Sequence, residues 1–368
     1  MRWLQVLAAL LLPGLCQTTR FRGIYGALIA SQRHTLPLQL SSEGWYAVNL
    51  TVGGVQTRLA VDTGSEVLWV RTKLLPHRPN SSTWKYLQPP HFHIQYGRGK
   101  IRGDVAELPV LADANRLSHT CLVGLANSEG GIWAKQHTID GVLGLSCSEM
   151  ALAGALDCLL PNPDDNDDNS SDPMDGRNTE RIFTLQLRRD SGTLTVGPVP
   201  DEYRKSLVPM PQMSQCGHWT VPLLSFRVAG SSPQDLLSGP TDAMLDSGTH
   251  SIVGPTFQVI VLARLLGASP APMGEGFGGK ITFYRVPCAA RITLPAVTMS
   301  LGARSKEANV TLRGEDLVAP PVGDGVDQLC RLQVAGWETR SWILGATFLT
   351  KIRAAVFDLG QQRVSIAA

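Results

Sequence analysis

The chain has 368 residues, 43% of them apolar and 17% charged, which is enough to bury a large core and excludes a disordered polymer; the length suits two domains or one bilobal unit. A net charge of +2 excludes the basic balance that nucleic acid or an acidic membrane surface would require of a partner.

In chain order, residues 1–17 read as a secretory signal peptide, with a single early Arg2, an apolar run from Val6 to Leu12, and Gly14 and Cys16 near a plausible cleavage point. No other stretch approaches the roughly 20 apolar residues of a membrane span, so no anchor is expected and the mature product should be soluble. Residues 18–43 carry Arg20, Arg22, Arg33 and His34 against one carboxylate, Glu43, a composition that fits a short basic prosegment or an N-terminal tail. From Gly44 the pattern becomes β. Trp45 to Val52 and Thr57 to Val61 flank Gly53-Gly54 and predict a hairpin. Residues 161–180 hold six Asp and almost nothing apolar, and read as a solvated acidic insertion. Strands resume at 182–187 and 192–197. A single helix is expected over 255–266, with Pro255 near its first turn and Gly267 at its end. The division this predicts is one β lobe over 44–200 and a second over 201–368.

Of seven cysteines, Cys16 lies in the signal, leaving Cys121, Cys147, Cys158, Cys216, Cys288 and Cys330, an even set suited to disulfides in an oxidising compartment. There is no C-x-x-C and no paired histidine spacing of the usual zinc kind, so no metal is expected. His91 and His93 share one strand face without a third ligand nearby in sequence, and read as surface or packed histidines. Asn49, Asn80, Asn169 and Asn309 begin N-x-S/T sequons and are glycosylation candidates.

The chemistry resides in two triplets, Asp62-Thr63-Gly64 and Asp246-Ser247-Gly248, each delivered by an apolar strand-like run and followed by a hydroxyl, Ser65 or Thr249. Two carboxylates at hydrogen-bonding distance cannot both ionise readily, so such a pair shares a proton. It can hold a water, one member taking its proton while the other protonates a carbonyl oxygen. Each triplet is followed later by an apolar-apolar-Gly run, Val142-Leu143-Gly144 or Ile343-Leu344-Gly345, which is an internal duplication. The glycine-rich run from Gly97 to Gly103 lacks a Lys-Ser/Thr ending and a βαβ setting, so it is not a phosphate loop.

Further ordered motifs accompany the triplets: Trp69, Tyr96-Gly97-x-Gly99, Asp140-Gly141-Val142-Leu143-Gly144-Leu145, and Ile343 to Leu349 followed by Ala355-Val356-Phe357-Asp358. On these, the chain from about Gly44 to Ala368 resembles the pepsin-like aspartic proteases. The resemblance implies an all-β, bilobal fold of two homologous lobes with the active-site cleft between them, acting on peptides and proteins without cofactor, most active in acid, monomeric, and secreted or endolysosomal. It implies that Asp62 and Asp246 are the catalytic pair. Ser65 and Thr249 would bond their outer oxygens, and Thr63 and Ser247 would lock the two loops, with Gly64 and Gly248 completing the turns. Tyr96 would sit on a flap that closes over substrate, with Trp69 as its indole partner and Gly97 and Gly99 allowing the hairpin to turn. Cys288 and Cys330 would form a disulfide, while Cys121, Cys147, Cys158 and Cys216 allow three pairings.

The chain also departs from the pepsin pattern. Ala346 stands where pepsins usually have Asp, which with Asp246-Ser247-Gly248-Thr249 is similar to the β-secretase (memapsin) branch, as are Ser81 to Trp84 and Phe183 to Leu187; that branch's membrane anchor is not expected here. Residues 18–43 are also shorter than a typical prosegment of the family. The alternative reading is a catalytically silent relative that binds peptides or proteins. Such proteins usually show a damaged triplet or a replaced flap tyrosine, and here all three are intact.

Overall fold

The computed structural model describes the chain from residue 33 onward, apart from 76–84, 98, 112–117, 148–154, 156–158, 160–180, 212, 214–216, 232–235, 238, 272–273, 277–278 and 322–327. The signal peptide, most of the basic leader and the acidic insertion therefore lie outside the described residues, as do Asn80, Asn169, Cys158 and Cys216. The architecture is all-β and bilobal, built on two large sheets.

The first sheet has 13 strands. Its centre runs in spatial order Ser191–Val196, His34–Leu40, Tyr46–Val52, Val55–Asp62, Gly141–Gly144 and Trp69–Arg71. The hairpin predicted around Gly53-Gly54 is present, with Val52 paired to Val55 and positive φ at both glycines (58° and 84°). One wing of the sheet carries Ser118–Gly131, Gly99–Leu111 and Lys85–Tyr96. The other wing is drawn from distant sequence: Ile182–Leu187 pairs with Ala354–Asp358, which pairs with Arg363–Ala367, which pairs with Leu207–Pro209. The second sheet, of ten strands, lies wholly between Thr220 and Leu344 and has Thr241–Leu245 and Trp342–Leu344 at its middle. The expected helix forms at Thr256–Leu265.

Part of the stretch read as a leader is integral to the first sheet. His34–Leu40 pairs with Ser191–Val196 over six residues and turns Leu36 and Leu38 inward, 5% and 1% exposed. The alternation Leu36-Pro37-Leu38-Gln39-Leu40 is the period of a half-buried strand, which the neighbouring charges mask in a composition-based reading. Aromatic packing completes the cores. Phe183 stacks on Phe357 at 4.5 Å with Trp219 edge-on at 5.2 Å, while Trp342 stacks on Phe226 at 4.8 Å.

Cys288 and Cys330 form a disulfide with Cα atoms 4.8 Å apart. Cys121 and Cys147 are buried and also disulfide-bonded. Asn49 and Asn309 sit exposed on strands. Among the described residues no helix is long and apolar enough to cross a membrane.

If His34–Leu40 belongs to the fold, Leu38→Ala should cost about 2–5 kcal/mol in urea unfolding, the range for a buried leucine. A strand that merely rests on the surface would lose almost nothing.

Candidate active site

Each triplet lies at the end of a strand that pairs in parallel with its own apolar-apolar-Gly strand. Val61 and Asp62 face Leu143 and Gly144, and Met244 and Leu245 face Ile343 and Leu344. The loop that follows the aspartate then crosses directly over the glycine. A Cβ on Gly144 would lie 2.5 Å from Val67 N and 2.8 Å from Ser65 O, and one on Gly345 would strike the carbonyls of Thr249 and Ser251. The repeated glycine thus has a steric cause: no side chain fits beneath the loop. Backbone bonds hold the crossing closed, Ser146 N to Ser65 O at 2.8 Å and Ala346 N to Thr249 O at 2.7 Å.

The two loops meet and interlock. Thr63 Oγ1 donates to Leu245 O at 2.9 Å and accepts from Ser247 N at 3.0 Å, while Ser247 Oγ donates to Val61 O at 2.7 Å and accepts from Thr63 N at 3.0 Å. Thr63 and Ser247 are 0% and 4% exposed, so these bonds form away from water. The interlock brings the carboxyl groups of Asp62 and Asp246 into a shared hydrogen bond. Neither opposing glycine can be larger, since a Cβ on Gly64 would lie 2.6 Å from Asp246 Oδ1 and one on Gly248 2.5 Å from Asp62 Cγ.

Both aspartates are 7% exposed and their hydrogen-bond shells match. Asp62 Oδ1 accepts from Gly64 N at 2.9 Å and its Oδ2 from Ser65 Oγ at 2.5 Å. Asp246 Oδ1 accepts from Gly248 N at 2.9 Å and Thr249 N at 3.2 Å, and its Oδ2 from Thr249 Oγ1 at 2.6 Å. Burial, and then the charge of Asp246, push the Asp62 carboxyl from its ordinary 3.8 up to about 7, against the pull of Ser65 and Gly64. The pair therefore favours a state with one proton between its members.

Over this pair stands the hairpin of Lys85–Tyr96 and Gly99–Leu111, with Tyr96 facing Gly99 at its tip. Trp69 Nε1 donates to the Tyr96 hydroxyl at 2.7 Å. The Ser65 side chain also lies against that hydroxyl. Trp69, Tyr96, Ser65 and Asp62 thus stand in one row, with Trp69 donating to Tyr96 and Ser65 to Asp62. Burial and the charge of Asp62 raise the Tyr96 pKa, so its hydroxyl keeps its proton. Gly97 lies exposed in the turn.

Sequence reasoning missed the support beneath this hairpin. Trp133, 2% exposed, packs edge-on to Tyr96 at 4.9 Å and to Trp69 at 5.3 Å, and stacks on Trp45 at 5.2 Å. A Cβ on Gly99 would lie 2.5 Å from its Cδ1, which explains the glycine at that position. Buried Arg71 pins the Trp133 segment, donating to Glu129 Oε1 at 2.8 Å, to Trp133 O at 3.0 Å, to Gln136 O at 3.1 Å and to Ile139 O. The only hint in the sequence is a tryptophan shortly before Asp140-Gly141; contacts between segments so far apart leave no local pattern. His91 pairs with Asp104 at 2.8 Å, and among the described residues no cluster of three His, Cys, Asp or Glu side chains is placed to hold a metal.

Comparison with known proteins places this geometry in a class. The family model "Eukaryotic aspartyl protease" matches residues 45–368, and the chain belongs to that family. It is 29% identical over 336 residues to cathepsin D of Canis lupus familiaris, covering 83% of this chain and 75% of that protein. It is 25% identical over 355 residues to pregnancy-associated glycoprotein 4 of Ovis aries, covering 90% and 83%. The crystal structure of an aspartic proteinase from Irpex lacteus superposes with a TM-score of 0.67 at 21% identity, over 92% of this chain and 97% of that one, and shares the fold.

Two outcomes follow from the interlock and the raised carboxyl. Thr63→Val should lower stability by about 1–3 kcal/mol for each group it orphans, the Leu245 carbonyl and the Ser247 amide, with Thr63→Ser restoring most of it. The folded chain holds the Asp62 proton more tightly than the unfolded one, so stability from this group is complete below pH 3.8 and lost as pH rises to about 7. The melting temperature of the native chain should therefore fall relative to Asp62→Asn across that window, and parallel profiles would contradict the raised carboxyl.

Proposed function

We propose that the chain is an aspartic endopeptidase in which Asp62 and Asp246 activate a water held between them. One carboxylate takes a proton from the water as its oxygen attacks the peptide carbonyl; the protonated partner donates to the carbonyl oxygen, giving a tetrahedral diol that collapses as the amine leaves with a proton. No covalent bond to the protein forms. The observation that carries this reading is the buried carboxyl pair whose outer oxygens are each held by their own hydroxyl, Ser65 or Thr249, so that its geometry is fixed before substrate arrives. An extended peptide would lie across the cleft beneath Tyr96, with alternate side chains entering pockets and apolar residues flanking the cut bond. The signal-like residues 1–17 and the disulfides support a secreted or endolysosomal location, and a monomer is the simplest form.

Activity should be greatest in acid and decline as Asp62 ionises on the approach to pH 7. The silent, peptide-binding alternative has in its favour the likeness to a pregnancy-associated glycoprotein, a relative whose name states no enzymatic activity. A quenched fluorescent peptide library, assayed between about pH 3 and 7, separates the two. Acid-dependent cleavage that disappears in Asp62→Asn is the expected result. A folded chain freed of residues preceding its first strand that cuts nothing at any pH would leave the binding reading in its place.

A further inference from the structure

Beyond the second aspartate loop the chain gathers three basic side chains on one exposed patch. His250 directly follows Thr249, is itself exposed, and hydrogen-bonds the backbone of Gly44. A Cβ on Gly44 would lie 3.5 Å from its Nδ1, and Gly44 has φ of +89°. The charge that acts on His250 is the guanidinium of Arg331, a cation. Arg331 is exposed on Leu329–Trp337 and is held from two sides: its guanidinium lies over the Phe283 ring at 4.2 Å, and Nη2 donates to Ser251 Oγ at 3.3 Å. Ser251 is buried and bonded in turn to Gln333 Oε1 at 3.2 Å. Directly opposite Arg331 across the antiparallel pair stands Arg285, also exposed. Like charges in directly opposed positions on one sheet face cost stability. An oriented guanidinium facing a second one is the arrangement that recognises a carboxylate.

We propose that Arg331, Arg285 and His250 form a subsite for the carboxylate of one acidic residue, glutamate or aspartate, in the extended peptide that Asp62 and Asp246 act on. This rests on the peptide-cleaving reading above. The patch begins one residue beyond the hydroxyl that holds Asp246, which brings it within reach of a side chain of a peptide bound at that carboxylate. Alternate side chains of an extended strand point the same way, so a single position meets the cations.

The test uses neutral peptides that the protein cuts, with Glu or Gln placed in turn at each position flanking the cut, at about pH 5 where Glu is ionised. At one position Glu should raise kcat/KM over Gln by about fivefold, the size expected of a partly exposed charge pair. The ratio should fall to one in Arg331→Gln, shrink in His250→Gln and persist in Arg331→Lys. Equal cleavage of the Glu and Gln peptides at every position, or an unchanged ratio in Arg331→Gln, overturns the subsite. If no peptide is cut, the hydrolase reading fails on its own, and the same comparison is made by the Kd of statine-type peptide mimics. There, tighter binding of the Glu compound at one position supports the subsite and equal binding overturns it.

Discussion

Four hydrogen bonds between Thr63 and Ser247 and the strands they face are the constraint from which the rest of the site follows. Each residue gives a hydroxyl hydrogen to a carbonyl of the other half and receives an amide hydrogen from it, so the two halves fix each other symmetrically. The backbone of each aspartate loop is thereby held to within a hydrogen bond's tolerance. Only then can two carboxyl groups be kept in contact in a buried setting, where the cost of charging both would otherwise push them apart. The glycines at 64 and 248 are the steric counterpart, because each carboxyl occupies the space a side chain of the opposite loop would need.

The symmetry ends at the hydroxyls. In the first half Ser65 leads outwards to Tyr96 and Trp69, linking the aspartate to the hairpin of Lys85–Tyr96 and Gly99–Leu111. In the second half Thr249 leads along the backbone to His250 and the arginine patch. One side of the duplicated site is thus continuous with a hairpin and the other with the surface of the second sheet. The hairpin side needs its own foundation, which Trp133 supplies and Arg71 secures. A buried guanidinium is costly to desolvate, and here its nitrogens are spent on one carboxylate and three backbone carbonyls that tie down a single segment.

Much of this was legible in the sequence where the cause is local. Alternating apolar residues around Gly53-Gly54 specify the hairpin, and the aspartate triplets with their apolar-apolar-Gly runs specify the loops, because in each case neighbours in sequence are neighbours in space. What could not be read depends on pairing between remote segments. Ala354–Asp358 and Arg363–Ala367 fall within the second half of the sequence but complete the first sheet through Ile182–Leu187, and nothing in their composition distinguishes one sheet from the other. His34–Leu40 has strand alternation, but its charged surroundings suggested a leader. Trp133, Arg71 and the opposed Arg285 and Arg331 acquire meaning only from contacts that the fold creates.

The wing of the first sheet formed by Ala354–Ala367 has a consequence for the order of assembly. The strand bearing Asp62 and the strands that close its sheet stand at opposite ends of the described chain, so the sheet is finished only after synthesis has passed Ala367. Until then Ile182–Leu187 presents an unpaired edge. The first half of the chain thus does not contain all the strands of its own sheet, and a chain translated only as far as residue 353 would hold its aspartate in a sheet still waiting for its last strands.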